Sequence, residues 1–466
     1  MQDDYKDSID GKPSIDRNGS AYADPEKAGH VEETARRSSK YDTGDPFGDE
    51  TDAEVKYRTL EWWQASMIMI AETISLGILS LPSVLGSIGM VPGVILILGL
   101  GIVATYTGYI FGQFKNAYPH VHNMADAGEV LMGRFGKELF GAAQVIFLIF
   151  TMGSHILTFT IAFNAITGHA ACTIVWGVIG TIILFLFTIP RTLKNIAHFS
   201  IVSAISIVAA VVITMVGVGI ERPDPNVQAT TKVAFAPAFL SVTNIIFAFA
   251  GHLAFFSFIS EMKKPQDFPK ALVLLQATDI GLYLIAAIVI YRYAGPEVAS
   301  PALGSTNDTV KRVAYGIALP TIVIAGVIYA HVAAKYIYVR IFRGTKHMSS
   351  RSWFAVGSWL GIIGALWIVA FIIAESIPTF NDLLGLISSL FASWFTYGIA
   401  GSMWLFLNYG QWFKNWRKIS LFVLNIMIFC LGATICGVGL YASGKSIHDS
   451  AGSGASWSCA DNSTPE

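Results

Sequence analysis

The sequence predicts an all-α polytopic membrane protein. Eleven transmembrane helices form two inverted five-helix repeats plus one extra helix. Three observations lead there. The 466 residues are 53% hydrophobic and only 14% charged, with a mean hydropathy of +0.54, values of a chain that lives in a bilayer. Eleven apolar stretches follow one another, each near the roughly 20 residues that a helix needs to cross the hydrocarbon core. Two of them, five spans apart, carry helix-breaking residues at their midpoints.

Residues 1–58 hold 15 of the 32 acidic and 9 of the 31 basic groups and lack apolar periodicity. They read as a disordered cytoplasmic tail. The membrane domain, 59–444, has too few charges to coat a soluble protein of its size. Its spans are 60–87, 91–114, 138–167, 171–190 and 196–219 in repeat one (60–219). Repeat two (238–408) holds 238–260, 271–294, 313–338, 353–376 and 382–408, and the extra helix is 418–443. Between the second and third spans, 118–136 can form a short amphipathic helix. Residues 445–466 form the C-terminal tail.

The first span carries Glu72 near its centre, followed by Ser75, Gly77, Ser80 and Pro82. Gly lacks a Cβ and Pro lacks a backbone donor, so a break is expected at Ser75–Gly77. The sixth span is interrupted by Gly251-His252. Open backbone at membrane depth must line a cavity or be buried in protein. Paired broken helices in inverted repeats point to a secondary transporter, whose half-helix ends bind the substrate. Exposed amides there would take a carboxylate, and exposed carbonyls an ammonium. The residues at the breaks, Ile74, Ser75, Leu76 and Gly77 with Phe247, Phe249, Ala250, Gly251 and His252, are therefore the candidate substrate-binding set.

Glu72 is costly to bury as a charge, which marks it for proton coupling. His155, midway along the third span, is the second candidate, because histidine titrates near neutral pH. Asn244, Asn164 and Gln144 read as interhelical hydrogen-bond partners. Asp279 and Glu261 are expected nearer the inner surface, and Lys335 is expected to snorkel towards it.

Orientation follows from lysine and arginine. With the N-terminus in the cytoplasm, connecting segments carry 17 such residues inside and 6 outside. The odd span count then puts the C-terminus outside. Beyond the N-terminal tail, the glycosylation sequons at Asn307 and Asn462 both fall outside, as do Cys172 and Cys459, for which an oxidising exterior permits a disulfide. Four cysteines suit neither a disulfide scaffold nor a metal cage. Neither a phosphate-binding lysine loop nor a dinucleotide or zinc-protease motif is present, so no enzyme activity, cofactor, metal or nucleic-acid partner is expected. The sequence sets no oligomeric state.

Several motifs together resemble the amino acid/auxin permease family, and within it the neutral amino-acid permeases of filamentous fungi. They are Glu72-Thr-Ile-Ser-Leu-Gly-Ile-Leu-Ser-Leu-Pro82, Gly89-Met-Val-Pro-Gly93, Gly153-Ser-His155, Phe247-Ala-Phe-Ala-Gly-His252, Phe258-Ile-Ser-Glu-Met262 and Gly295-Pro-Glu-Val-Ala-Ser-Pro-Ala302. The likeness spans about residues 60–460. It implies a carrier of LeuT-like architecture that takes up neutral aliphatic and aromatic amino acids by proton symport at the plasma membrane. Competing readings are a vacuolar amino-acid exporter working by antiport and a receptor that binds amino acids without moving them. Non-reducing digestion of the mature protein should yield one linked peptide pair containing Cys172 and Cys459. Recovery of the two peptides unlinked would refute the pairing.

Overall fold

The computed structural model describes residues 58–191, 196–221, 226–342, 352–451 and 456–463. The expected N-terminal tail lies, but for Arg58, outside the described residues. The regular structure of the described residues is helical, and strand pairing among them is limited to one isolated bridge between Leu60 and Met262. Among the described residues, ten helical segments are long and apolar enough to cross a membrane, and an eleventh, Thr173–Thr188, is shorter but apolar.

The helices of the first half are α1 (Trp62–Ile88), α2 (Met90–Ala117), α3 (Met124–Thr167), α4 (Thr173–Thr188) and α5 (Ile196–Glu221). The sixth span is two helices, α6 (Phe235–Ala248) and α7 (His252–Glu261). Then come α8 (Phe268–Ala294), α9 (Asp308–Phe342), α10 (Trp353–Ser376), α11 (Phe380–Leu407) and α12 (Trp416–Ala451). The middle of α11, Ser388–Gly398, is wound as a π-helix.

Local chemistry sets several boundaries. The Gln64 side chain accepts from the Glu61 amide at 2.9 Å and anchors the start of α1. At its end Gly89 takes φ +94°, and a Cβ there would lie 2.6 Å from Thr230 Cα. Asn123 caps α3 by accepting from the Asp126 amide at 3.0 Å. Gly133, at φ +65°, kinks α3, so the amphipathic segment expected in 118–136 is the first arm of that helix. The C-terminal span exceeds its expected end at 443 and continues to Ala451. Beyond it, Cys459 is joined to Cys172 by a disulfide, fastening the last described segment to the start of α4.

Counterpart spans of the two repeats touch. Gly77 of α1 meets Ala248 of α6, Gly112 of α2 meets Phe268 of α8, and His155 of α3 meets Gly326 of α9. Trp367 of α10 donates to the Thr188 hydroxyl of α4 at 3.2 Å. Pairing of first with sixth, second with seventh, third with eighth and fourth with ninth is the arrangement that a five-span internal repeat produces. The chain therefore has the predicted class, an all-helical transporter architecture built on repeats.

One expectation fails. The first span is not broken at Ser75–Gly77, because α1 runs as one helix from Trp62 to Ile88 and absorbs Pro82. The reason is packing. A Cβ at Gly77 would lie 2.6 Å from Ala248 Cα, so the glycine permits backbone-to-backbone contact with the broken helix and does not open its own. Serine hydroxyls settle on nearby carbonyls, with Ser80 donating to Gly77 at 2.9 Å and Ser83 to Ser80 at 2.7 Å. Overpacking of such a contact costs about 1–3 kcal/mol. Gly77→Ala should therefore lower the melting temperature of the detergent-solubilised protein by several degrees. Gly99→Ala, where a Cβ meets nothing within 4 Å, should not lower it. Equal melting temperatures for the two variants would refute the close-packing role.

Candidate functional site

The polypeptide is open where α6 ends. Phe249 adopts φ −101° and ψ 13°, and α7 restarts at His252. Two turn-like bonds remain in the gap, Phe249 N–H to Ile246 O at 3.2 Å and Ala250 N–H to Phe247 O at 3.1 Å. The first amides of α7 have no carbonyl one turn earlier in their own helix. Tyr283 of α8 braces the opening. Its hydroxyl sits 2.8 Å from Ala248 O and 3.0 Å from Thr73 O, so one donor serves the end of α6 and the middle of α1.

A cavity lies against this break. Its walls are Glu72, Thr73, Ser75 and Leu76 of α1, Phe147, Thr151 and His155 of α3, Phe247 of α6, Ala250 and Gly251 at the gap, and Tyr329 of α9. The space open to the centre of a water molecule is about 20 Å³, enough for about one water, so the walls close tightly around it. His155 donates from Nδ1 to Ile322 O at 2.9 Å, and its ring lies 5.7 Å from that of Tyr329. The Ser75 hydroxyl is buried and has no hydrogen-bond partner. Among the described residues lining the cavity, Glu72 is the one acid, and none is lysine or arginine.

Both ends of α1 are latched. At one end Leu60 N–H donates to Glu261 O at 3.0 Å, and Leu60 O accepts from Lys263 N–H at 2.9 Å. Lys263 Nζ also pairs with Glu61 at 2.8 Å. At the other, Met90 and Val91 donate to Gln228 O and Ala229 O at 3.0 and 2.9 Å, and Thr231 donates to Ile88 O at 3.3 Å.

Of the residues chosen from sequence, the structure brings Glu72, Ser75, Leu76, His155, Phe247, Ala250 and Gly251 to the cavity wall. The other four lie outside it. Ile74 is fully buried in the core, and Gly77 is occupied by Ala248. Phe249 turns edge-on to Tyr283, with ring centroids 5.3 Å apart. His252 points to α2, with Nε2 3.0 Å from the Thr107 hydroxyl and 3.1 Å from Ala104 O, among the rings of Phe111 and Phe255. Sequence reasoning missed Thr73, Phe147, Thr151 and Tyr329. One signal was present: Phe147, Thr151 and His155 recur every four residues and so share a helix face.

Other expectations fare unevenly. Asn164 bridges Thr173 and Asn462, at 2.6 and 2.9 Å. Gln144 accepts from Met124 N–H at 3.2 Å, and so ties the two arms of its own helix. Asn244 Oδ1 is buried without a partner. Lys335 is exposed. Asp279 is not at an end of its span: it lies near the middle of α8, and its side chain is fully buried. Asn307 is exposed at the head of α9. Asn462 turns inward and donates from Nδ2 to Thr160 at 3.0 Å, so a glycan on that nitrogen does not fit this arrangement.

A family model described as transmembrane amino acid transporter protein matches residues 58–444. The chain belongs to that family. It is 36% identical over 411 residues to an N amino acid transport system protein of Neurospora crassa, covering 85% of this chain and 87% of the relative. A transmembrane transporter of Gibberella moniliformis is 31% identical over 452 residues, 93% of this chain and 94% of the relative. Among solved structures, a nucleobase-cation-symport-1 family transporter, closed around bromovinylhydantoin, superposes with a TM-score of 0.53 at 14% identity. The match covers 86% of this chain and 96% of that one. A sodium-coupled sialic acid symporter in a substrate-bound outward-open state gives 0.50 at 11% identity, covering 83% and 90%. The fold of this amino acid transporter family member is thus that of membrane symporters, and the chain is not an enzyme.

The two histidines should separate by experiment. Loss of a buried hydrogen-bonded group costs about 1–3 kcal/mol. His252→Gln should therefore lower the melting temperature by several degrees and leave the half-saturation concentration for substrate within about twofold. His155→Gln, at the cavity wall, should change half-saturation more than about fivefold, roughly 1 kcal/mol. Equal shifts in half-saturation at both positions would contradict this placement.

Proposed function

We propose that this amino acid transporter carries neutral amino acids, aliphatic and aromatic, inward across the plasma membrane by proton symport. The N-terminus is cytoplasmic and the C-terminus extracellular in this reading. The observation that carries it is the cavity at the break between α6 and α7, walled by one acid, two phenylalanines and one leucine. A zwitterion suits that lining. Its carboxylate is served by the first amides of α7, where the helix dipole is positive. Its ammonium is served by oxygen acceptors at Ser75 and Glu72. Its apolar side chain packs against Phe147, Phe247 and Leu76. A cationic side chain would meet no second acid, and an anionic one would meet no lysine or arginine.

Among the described residues, Glu72 is the one carboxyl in this wall. In the proposed cycle it is protonated with the cavity open to the outside and releases the proton when the cavity opens inward. The latches at the two ends of α1 open in alternation. His155, beside Tyr329, sits where it contacts the same cavity and assists the transfer. The seventeen-to-six excess of basic residues on the proposed inner segments supports the orientation.

Proteoliposomes carrying Glu72→Gln test the assignment. The variant should keep exchange of labelled leucine for unlabelled leucine, because exchange needs no net proton movement. Leucine accumulation driven by an inward proton gradient should fall at least about tenfold, a loss of roughly 1.4 kcal/mol of coupling. Unimpaired gradient-driven accumulation in this variant would remove Glu72 from the mechanism. Accumulation by the wild-type protein that ignores the proton gradient would remove proton symport itself.

A further inference from the structure

Behind the cavity lies a second buried carboxylate, that of Asp279. Its side chain is 0% exposed, and neither carboxylate oxygen has a hydrogen-bond partner. The Thr73 side chain lies against it. That hydroxyl is already engaged, donating to Met69 O at 3.0 Å and Ile70 O at 3.3 Å. Thr73 is also the neighbour of Glu72 and lines the cavity with it. The acid therefore sits one side chain away from the site.

It does not sit alone. Tyr283 bonds to Thr73, and Pro296 backs Gly86, both with the same offset of 210 residues. Helices α1 and α8 therefore run parallel and in step. That offset sets Gln276 level with Ser66. Gln276 Oε1 and Ser66 Oγ are likewise buried without partners. Tyr283, Asp279 and Gln276 recur at helical spacing, so they share one buried face of α8. This face is a polar row inside a membrane domain, leading from Thr73 towards the end of α1 that begins at Trp62.

Among the described residues, no lysine or arginine side chain is placed against the acid. On its own helix the facing titratable group is Tyr283. On α1 it is Glu72, whose backbone carbonyl faces the Tyr329 hydroxyl at 3.5 Å. On α2 the titratable side chains are committed elsewhere. Tyr106 accepts from Asn425 at 2.7 Å, Lys115 donates to Pro119 O and Val121 O, and Tyr109 is 44% exposed. On α5, Glu221 holds Asn307 at 2.8 Å through the latter's backbone amide. A buried carboxyl whose one hydroxyl neighbour, Thr73, already donates elsewhere is costly to hold as an anion. The row of polar groups that leads from it towards the Trp62 end of α1 is a route by which a proton leaves.

We infer that Asp279 is a second proton-carrying residue of this transporter, loading a proton from the cavity side past Thr73 and releasing it through the Ser66–Gln276 row while Glu72 serves the substrate cavity. The step is a proton transfer alone: the carboxylate gains a proton that arrives past Thr73 with the cavity open outward, and gives it up to water at the mouth of the row on the inner side. The inference rests on the proton-symport reading above.

The test measures protons and substrate together. Protein in liposomes that contain a pH-sensitive dye is given labelled leucine, and proton influx per leucine is recorded for wild type, Glu72→Gln, Asp279→Asn and Asp279→Ser. Whichever Asp279 variant is monodisperse should keep leucine exchange within about threefold. Its proton influx per leucine should fall at least about twofold, and its pH profile of uptake should flatten. An unchanged ratio and pH profile in that variant, beside a wild type that does move protons, overturns this inference and leaves the symport reading standing. A wild type that moves leucine without protons overturns both. A second measurement needs no variant. A hydrophobic carbodiimide adds to protonated buried carboxyls, so mass spectrometry of the treated wild-type protein should find an adduct on Asp279 that declines as the pH is raised. Absence of that adduct at every pH also overturns the inference.

Discussion

One tyrosine hydroxyl holds the centre of this molecule together. An unwound segment at membrane depth has no water to satisfy its carbonyls, and each orphaned group costs several kcal/mol. Tyr283 shares its proton between Ala248 O, where α6 ends, and Thr73 O on the neighbouring helix. The bond fixes the distance between the broken and the continuous helix. At that distance Gly77 and Ala248 touch backbone to backbone. The cavity, the side chains around it and the face of α8 that carries Asp279 all take their places from this contact.

The two latches on α1 fit the same frame. Each consists of two or three backbone hydrogen bonds, and one adds an exposed ion pair between Glu61 and Lys263. A hydrogen bond contributes about 0.5–1.5 kcal/mol net, and an exposed ion pair at most about 1 kcal/mol. Either latch is thus worth a few kcal/mol. A ligand that binds one state more tightly by that amount is sufficient to exchange open and closed forms. The cavity, with room for about one water, lies along a helix latched at both ends.

The fold class was legible because composition and span count leave little choice at 53% hydrophobic residues and eleven apolar stretches. The break in the sixth span was legible for a local reason: Gly251 precedes a polar ring in an otherwise apolar run. The same reasoning failed in the first span. Glycine, serine and proline mark both helix breaks and close helix contacts, and only the neighbour decides between them. For Gly77 the neighbour is Ala248, 171 positions away, which no local pattern reports. The direction of a side chain at the break was equally hidden. Phe247 and Phe249 are two residues apart and look alike as letters, yet one lines the cavity and the other packs on Tyr283. Asp279 was expected nearer the inner surface because charges are cheaper there, and it lies instead near the middle of α8, fully buried.

An unbroken first helix changes how the labour is divided. Two opened helices would offer two sets of free amides and carbonyls to the substrate. Here α1 spends its backbone on its own ladder, and what it presents to the cavity is side chains: Glu72, Thr73, Ser75 and Leu76. The opened helix presents backbone at Ala250 and Gly251. Backbone amides hold a fixed partial charge at every pH, and a carboxyl changes charge with its proton. In the proposed cycle the group that recognises the substrate's carboxylate is therefore pH-independent, and the group that couples to protons sits on the other helix. Tyr283 joins the two, so a change of charge at Glu72 or Asp279 strains the same contact that positions the binding amides. Coupling then needs no long pathway, because the proton sites and the substrate site share one hydrogen-bonded joint.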